Sequence, residues 1–221
     1  MTPKLLGRIG YSNIYTFSDD PSAYFFEAGM AIDADGAPKA YHPKPGDGLD
    51  YLDNAGHSGN WWALVTKNGE PVVQGPGDPA PGYYISTTSL EDTSKKATDP
   101  TRYVDSETVP FFVLPGKLTF GASLGDFGVA VNSKNWEYCG CIFADTGPSG
   151  KIGEGSIALA NALGVPSSPK HGGTGHGIVY VVFPGSKQHW PMDINAIKTT
   201  ANNLFVKWGG IARLKTGLPD I

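Results

Sequence analysis

Short apolar and aromatic runs alternate with clusters of turn residues along most of the chain, which is the pattern of a protein built from many short strands. The segment KNGE predicts a hairpin turn, because Asn68 and Gly69 adopt positive φ at low cost. The runs predict strands at residues 23–32, 61–66, 82–89, 108–114, 126–132, 137–144 and 177–183. Polar segments rich in Gly, Pro, Asp or Ser predict loops at 33–60, 75–81, 90–102 and 165–176.

Two segments depart from this pattern and predict helices. The first, SIALANAL at 156–163, begins at Ser156, which can cap it, and ends before Gly164. The second runs from Asp193, its predicted cap, to Trp208, where two glycines stop it. Its apolar residues share one face at helical spacing: Ile194, Ile197, Ala201, Leu204 and Trp208. The sequence shows no repeat and no linker, so one domain over residues 1–221 is expected.

Composition agrees with a globular, turn-rich domain. The 221 residues suffice for a core without metal or disulfide support, and they include 30 Gly and 18 Pro. The net charge is −4 with Lys and Arg scattered, so no nucleic-acid partner is expected. No apolar stretch approaches the ~20 residues of a membrane span, so no membrane association is expected. The many aromatic residues suit a β protein and also a carbohydrate binder, because sugar faces stack on aromatic rings.

The two cysteines and the N-terminal segment say little about the compartment. Cys139 and Cys141 would lie ~6.6 Å apart on a strand, near the upper limit for a disulfide, so two buried thiols are expected. The segment MTPKLLGRIGYSN has neither a long apolar core nor a small-residue cleavage site, and no signal peptide is recognised in it.

The segment CIFADTGPSGKIGEGSIALANALG, at 141–164, carries the strongest candidate chemistry. It sets Asp145 at the end of a predicted strand and Glu154 just before a predicted helix, with four glycines that let the backbone approach a ligand. Inverting glycosidases need two carboxyls about 6.5–9.5 Å apart. The alternative is that Asp145 caps a turn and Glu154 only interacts favourably with the helix dipole. The spacing alone leaves both interpretations open.

The run ADTGPSGKIGEGSIALA resembles the fungal-type chitosanases of glycoside hydrolase family 75. Further stretches resemble the family in the same order: AIDADGAPKAYHP, GLDYLDNAG, NWW, GYYISTTSL, RYVDSETVPFFVLP and GIVYVVFPGS. The resemblance implies a secreted enzyme that cleaves β-1,4-glucosamine polymers internally and with inversion, without a cofactor. It also implies that the essential Asp and Glu are Asp145 and Glu154. A monomer is expected, with the polysaccharide chitosan as its partner.

The same segment suggests the fold. Its order of strand, Asp-x-Gly-Pro, loop, acid, Ser and helix resembles the double-psi β-barrels of expansin-like and lytic-transglycosylase-like proteins. The expected fold is therefore mainly β, a six-stranded double-psi-like β-barrel with two helices. Because those proteins also act on β-1,4 polysaccharides, two alternatives stay open: a peptidoglycan-directed cell-wall hydrolase, and a non-catalytic carbohydrate-binding barrel.

Roles within the pair follow from burial. Glu154 is expected to be the general acid and Asp145 the general base, since a buried carboxyl holds its proton at higher pH. A dominant helix dipole would stabilise the Glu154 anion and exchange the roles. Lys151 lies between them in the sequence and is expected to tune their charge.

Other acids are candidates for binding the ammonium groups of chitosan. Asp35 and Asp105 are expected in the cleft. Asp33 is expected to bond its own turn and Glu107 to be a solvated loop charge.

The remaining candidates are aromatic or histidine residues. Tyr41 and His42 are predicted to bind substrate, although a His before a Pro in a loop is more often structural. Trp61 is a further substrate-binding candidate, because it and Trp62 should face opposite sides of a strand, one in the core and one toward sugar. No metal site is expected: two histidines flank a glycine-rich loop at 171–176, but no third ligand is evident.

Overall fold

The computed structural model describes residues 2–218 of the chain. The strands are β1 (Pro3–Ile9), β2 (Ser12–Phe17), β3 (Asp20–Asp33), β4 (Gly56–His57), β5 (Asn60–Trp61), β6 (Thr66–Lys67), β7 (Glu70–Pro71), β8 (Phe111–Pro115), β9 (Phe127–Asn132), β10 (Tyr138–Gly147), β11 (Glu154–Ser156) and β12 (Thr174–Val182). The helices within these residues are α1 (Ile157–Ala162), α2 (Ile194–Trp208) and α3 (Gly210–Gly217). Two short 3-10 helices span Leu52–Asn54 and Pro100–Arg102.

Six of the strands close into a barrel. Their order is β3-β11-β8-β10-β9-β12, and β12 pairs with β3 to complete the ring. β11 runs parallel to β3 and β10 runs parallel to β8, whereas the other neighbours in the ring are antiparallel. The hairpin of β1 and β2 continues the sheet beyond β3. The expected mainly β, six-stranded barrel is confirmed, while its double-psi connection stays a prediction.

Alternation along the strands separates an inner from an outer layer. On β3, Tyr24, Phe26 and Met30 belong to a buried cluster inside the barrel. Alternate residues of two other strands join them: Cys139, Cys141 and Phe143 of β10, and Ile178, Tyr180 and Val182 of β12. The intervening positions, such as Phe25, belong to a second cluster outside the barrel. Helix α2 covers that outer cluster with its buried residues Ile197, Ala201, Phe205 and Trp208.

Both predicted helices are confirmed with their caps. Ser156 Oγ accepts from the Leu159 amide at the start of α1, 3.1 Å away. Asp193 Oδ1 accepts from two amides in the first turn of α2, and Gly209 ends that helix at φ 117°. The chain then resumes as α3, which the sequence analysis did not predict because two consecutive glycines are typical of a helix stop.

The strand predictions are confirmed for the five runs that belong to the barrel and wrong for the two that lie outside it. The predicted strands at 61–66 and 82–89 reduce to two-residue strands and isolated bridges, such as Leu64 with Ser86. β1 was missed because most of its residues are exposed and show no clean alternation, and β11 is only three residues long. The hairpin turn is confirmed, with φ of 55° at Asn68 and 86° at Gly69.

The two cysteines are free and buried, as expected. They lie two residues apart on β10 and both point into the barrel. Within residues 2–218, no helix combines the length and the apolar composition that crossing a membrane requires.

Candidate active site

A β-bulge in β10 turns Asp145 onto the outer face of the barrel. Phe143 lies opposite Phe112 of β8, and Asp145 lies opposite the next residue, Val113, so one extra residue is inserted between them. Phe143 points inward, whereas Val113 belongs to the outer layer. Without the bulge, Asp145 would share the inward direction of Phe143; with it, the side chain is re-aimed outward.

Glu154 lies on the same outer face, two strands away. Gly155 of β11 lies opposite Phe112, which places Glu154 next to Val113 on the antiparallel neighbour. Asp145 therefore flanks Val113 on one side and Glu154 flanks it on the other. Each inter-strand spacing is about 4.8 Å, so the two backbones are roughly 9–10 Å apart. The Glu154 side chain leans toward β10, since its Oε2 lies 3.6 Å from where a Cβ on Gly147 would be.

Asp145 is buried, with 9% of its surface exposed, and is held by three donors. The Ser89 amide and hydroxyl donate to Asp145 Oδ1 at 2.9 and 2.5 Å, and the Thr146 amide donates to the same oxygen at 2.8 Å. Burial raises the pKa of Asp145, and the hydrogen bonds from Ser89 and Thr146 oppose that rise.

Glu154 holds its proton more firmly than an ordinary glutamic acid. Burial raises the pKa of Glu154 to about 7, the negative charge of Asp145 adds to the rise, and Lys151 opposes it. Glu154 precedes the cap of α1, Ser156, by two residues, and burial outweighs any stabilisation of its anion by the short helix. The side chain is thus suited to donate a proton near neutral pH.

Two more carboxyls join Asp145. One oxygen from each of Asp33, Asp35 and Asp145 lies within 4.8 Å of the others. Burial raises the pKa of Asp33 well above its ordinary value, and neighbouring acids, first Asp35, add to it. Burial likewise raises the pKa of Asp35, with the charge of Asp145 as the next cause. Asp33 was expected to be only a turn residue, whereas it lies in the acidic cluster and also accepts from the Asp35 amide at 2.7 Å.

Residues around the acidic cluster hold Asp35 in place. Tyr41, a buried residue of the loop after β3, donates its hydroxyl to Asp35 Oδ1 at 2.7 Å. Asp50, also buried, accepts from both the Tyr51 amide and the Asn54 side chain. Its charge contributes to the raised pKa of both Asp35 and Glu154, after the larger effect of burial. Tyr41 therefore orients one acid of the cluster, and its predicted contact with substrate stays a prediction.

The contacts of His42 and Asp105 are those of loop and turn residues. His42 Nδ1 accepts from the Lys44 amide at 3.0 Å, and its ring packs edge-on against Tyr83. Asp105 accepts from the Glu107 amide at 2.9 Å and from the Thr108 hydroxyl at 3.0 Å, which is the pattern of a turn. These contacts give both residues a structural role, and the binding of substrate by His42 and Asp105 stays a prediction.

The two tryptophans divide between the core and the surface. The Trp61 ring is partly buried against a satellite cluster that includes Tyr41 and Leu64. Trp62 is 58% exposed, and its indole nitrogen donates to the Asn54 carbonyl at 2.9 Å. Trp62 therefore presents the more exposed ring of the two, and the predicted binding of substrate by Trp61 stays a prediction. Lys151 is exposed, and its charge acts on Glu154; its predicted contact with substrate stays a prediction.

The three clustered aspartates offer oxygen ligands, as hard cations prefer, but a calcium ion takes six to eight such ligands. Within residues 2–218, no other set of three metal-ligating side chains lies as close together. His171 packs edge-on against the Tyr51 ring. The cluster equally suits an ammonium group, which needs acceptors and no fixed coordination number.

Sequence reasoning missed Ser89 and undervalued Asp33. Inward Met30 and Ile32 put Asp33 on the outer face of β3 by simple alternation, so that pattern could have identified it. Ser89 contacts Asp145 across 56 residues of sequence, and no local sequence pattern predicts such a contact.

Comparison with known proteins assigns the chain. Residues 30–207 match the family described as fungal chitosanase of glycosyl hydrolase group 75. A comparison with curated proteins finds no match. The matched range runs from the end of β3 through nearly all of α2, and it includes the other five barrel strands and both acids of the pair. With its acid-lined outer face and this match, the chain belongs to the fungal chitosanases of glycosyl hydrolase group 75 and is a glycoside hydrolase.

Proposed function

We propose that the protein cleaves β-1,4 bonds within chitosan with inversion of configuration, using Glu154 as general acid and Asp145 as general base. The observation that carries the proposal is the position of the two acids on either side of Val113, on one outer face. Backbones roughly 9–10 Å apart suit carboxyl groups about 6.5–9.5 Å apart, with room for a water between them and the sugar. A retaining pair would lie only about 5–5.5 Å apart.

The different surroundings of the two acids support the division of roles. The raised pKa of Glu154, about 7, favours a protonated side chain that can donate to the leaving oxygen. Three donors on one oxygen favour the carboxylate form of Asp145, which can then take a proton from the attacking water. No step in this scheme requires a cofactor or a metal.

Recognition of glucosamine follows from the acidic cluster. A protonated amino group placed near Asp33 and Asp35 would meet the negative charge that these two acids keep when they share one proton, with Asp35 oriented by Tyr41. Neutral N-acetyl groups would lose this attraction and would meet buried acids instead. We expect Asp105, His42, Trp61 and Lys151 to contribute further along the polymer, with Trp62 as the exposed ring of the tryptophan pair.

We propose that the enzyme acts outside the cell, because its polymeric substrate does not cross membranes, and that it acts as a monomer. Internal cleavage fits a site on the outer face of the barrel, where a long chain can lie across β11, β8 and β10 without threading an end.

The test is to incubate the protein with chitosan, chitin and purified peptidoglycan sacculi in parallel. We expect reducing ends from chitosan, with an early fall in viscosity that marks internal cleavage. Release of soluble fragments from sacculi alone would replace the proposal with the peptidoglycan hydrolase. Binding to chitosan without any reducing ends would replace it with the carbohydrate-binding barrel.

A further inference from the structure

Ser89 makes the closest side-chain contact to Asp145. Its hydroxyl and its own amide both donate to Asp145 Oδ1, and its Oγ lies 2.7 Å from Thr146 Oγ1. A serine hydroxyl carries one hydrogen. If that hydrogen points to Asp145, the Thr146 hydroxyl must be the donor to Ser89, and the three groups form a chain that ends on the carboxylate. Such chains strengthen each member.

The backbone holds Ser89 in place independently of its hydroxyl. The Leu90 amide donates to the Ala144 carbonyl of β10 at 2.8 Å. On the other side, Thr88 Oγ1 accepts from the Val104 amide at 2.9 Å and donates to the Leu90 carbonyl at 2.7 Å. Removing the Ser89 hydroxyl should therefore leave the loop where it is.

The other acids of the cluster make the hydrogen bond from Ser89 to Asp145 important. Carboxyl groups this close cannot all be ionised, so the surroundings decide which one keeps its charge. Asp33 accepts one amide hydrogen bond, and Asp35 accepts the Tyr41 hydroxyl at 2.7 Å and the Ser86 hydroxyl at 3.5 Å. Asp145 receives three hydrogen bonds on one oxygen. Glu154 from β11 and Asp50 from its loop also face the cluster, and the exposed Lys151 acts on Glu154.

We propose that Ser89 is a positioning residue that keeps Asp145 ionised and oriented as the base, while Asp33 and Asp35 hold the proton that the cluster shares. The inference rests on the proposed function, because it requires Asp145 to act as the base in hydrolysis. Ser89 acts through Asp145 and takes no part in the bond changes itself.

The experiment is the pH profile of kcat/KM on chitosan for Ser89→Ala. Without the hydroxyl donor, the pKa of Asp145 rises, and a base must be ionised to work. The acidic limb should therefore move to higher pH by at least about one unit, the size expected for one hydrogen bond to a charged group. The basic limb, which reports Glu154, should stay where it is.

Two further variants separate this effect from a loss of structure. Ser89→Cys keeps a side chain of similar shape but donates weakly, so it should also shift the acidic limb, by less than the alanine variant. Thr87→Ala removes a hydroxyl two residues away that makes no hydrogen bond within residues 2–218, and its profile should match that of the unmodified protein. Thermal midpoints of all three should be compared with the unmodified chain.

The outcomes for the inference and for the proposed function differ. An acidic limb that stays in place in folded Ser89→Ala and Ser89→Cys, while Asp145→Asn is inactive, overturns the role of Ser89 alone. Full activity of Asp145→Asn overturns the proposed function and the inference together.

Discussion

The outer face of β10 packs against a helix in the first half of the strand and carries the candidate site in the second half. In the first half, Gly140 lies directly under α2: a Cβ there would come within 2.6 Å of the Lys198 carbonyl and 2.9 Å of the Ala201 side chain. In the second half, beyond the bulge, Asp145 and Gly147 face the acids of β11 and β3. One strand thus supports packing before the bulge and chemistry after it.

The difference shows what a single inserted residue does. Regular alternation would send Asp145 into the apolar interior with Phe143, where a carboxyl without partners is costly. The bulge moves it to the face where Ser89 and Thr146 supply hydrogen bonds. Changes before the bulge should therefore alter stability, and changes after it should alter catalysis.

The largest expected effect belongs to the acid pair beyond the bulge. Glu154→Gln and Asp145→Asn should each lower chitosan hydrolysis about 10²–10⁴-fold, the usual contribution of a general acid or base. Initial rates of reducing-end release measure this loss. Either variant with full activity would show that its carboxyl is not required.

The stability of Glu154→Gln provides the control. The folded pKa of about 7 exceeds the ordinary value of 4.5, so the folded protein binds the proton more tightly than the unfolded chain does. The unmodified protein should lose stability as the pH rises from about 4.5 to 7 through this group, and the Gln variant should lack that part of the decline. Thermal midpoints at pH 4 and pH 8 test it, and identical pH dependence in both proteins would speak against burial of an ionisable Glu154.

The next effect lies before the bulge. Gly140→Ala should lower the free energy of unfolding by about 1–3 kcal/mol, because the added methyl collides with the backbone of α2. Denaturant unfolding measures the loss, and the pH profile of activity should not change. A shifted pH profile in this variant would mean that the two halves of the strand are coupled.

A smaller loss of stability is expected at Gly147, the glycine after the bulge that corresponds to Gly140 before it. In Gly147→Ala the new methyl would lie 3.2 Å from Val113 Cγ1, which must move by a few tenths of an ångström, and 3.6 Å from Glu154 Oε2, an ordinary contact. We expect roughly a threefold to tenfold loss of kcat, because Val113 lies between the two acids and small displacements at a catalytic site are costly, with less destabilisation than Gly140→Ala. Equal losses of stability in the two variants would remove the distinction between the halves.

The smallest effect belongs to Lys151. Its charge lowers the pKa of Glu154, so Lys151→Met should raise that pKa and extend activity to higher pH. The shift should stay below about one unit and shrink with added salt, because the lysine is exposed. A shift of the basic limb to lower pH would contradict the sign of this interaction.

The elements predictable from sequence were those with strong local patterns. The strands around Phe25, Val129 and Val181 carry continuous apolar runs, and α2 has a cap, an apolar face and a glycine stop, so each was found. β11 was not, because its three residues pair on both sides only through tertiary structure. Local pattern cannot indicate a strand that is stabilised in this way.

The residues of the candidate site also divide into those that the sequence predicts and those that it does not. Asp145 and Glu154 came from one continuous segment of the family resemblance, and Asp35 came from a separate stretch of it at 31–43. Ser89 and the bulge could not be predicted, since each depends on a distant strand or loop. The contacts that tune the charge of Asp145 are long-range, although the residues that carry the chemistry are close in sequence.

The most direct test of the two-acid scheme is to follow the anomeric protons by NMR during the first turnovers on a chitosan oligomer. Inversion at a β-1,4 bond predicts that the new reducing end appears first as the α anomer and then equilibrates. Initial appearance of the β anomer would mean retention, and it would contradict a water held between Glu154 and Asp145.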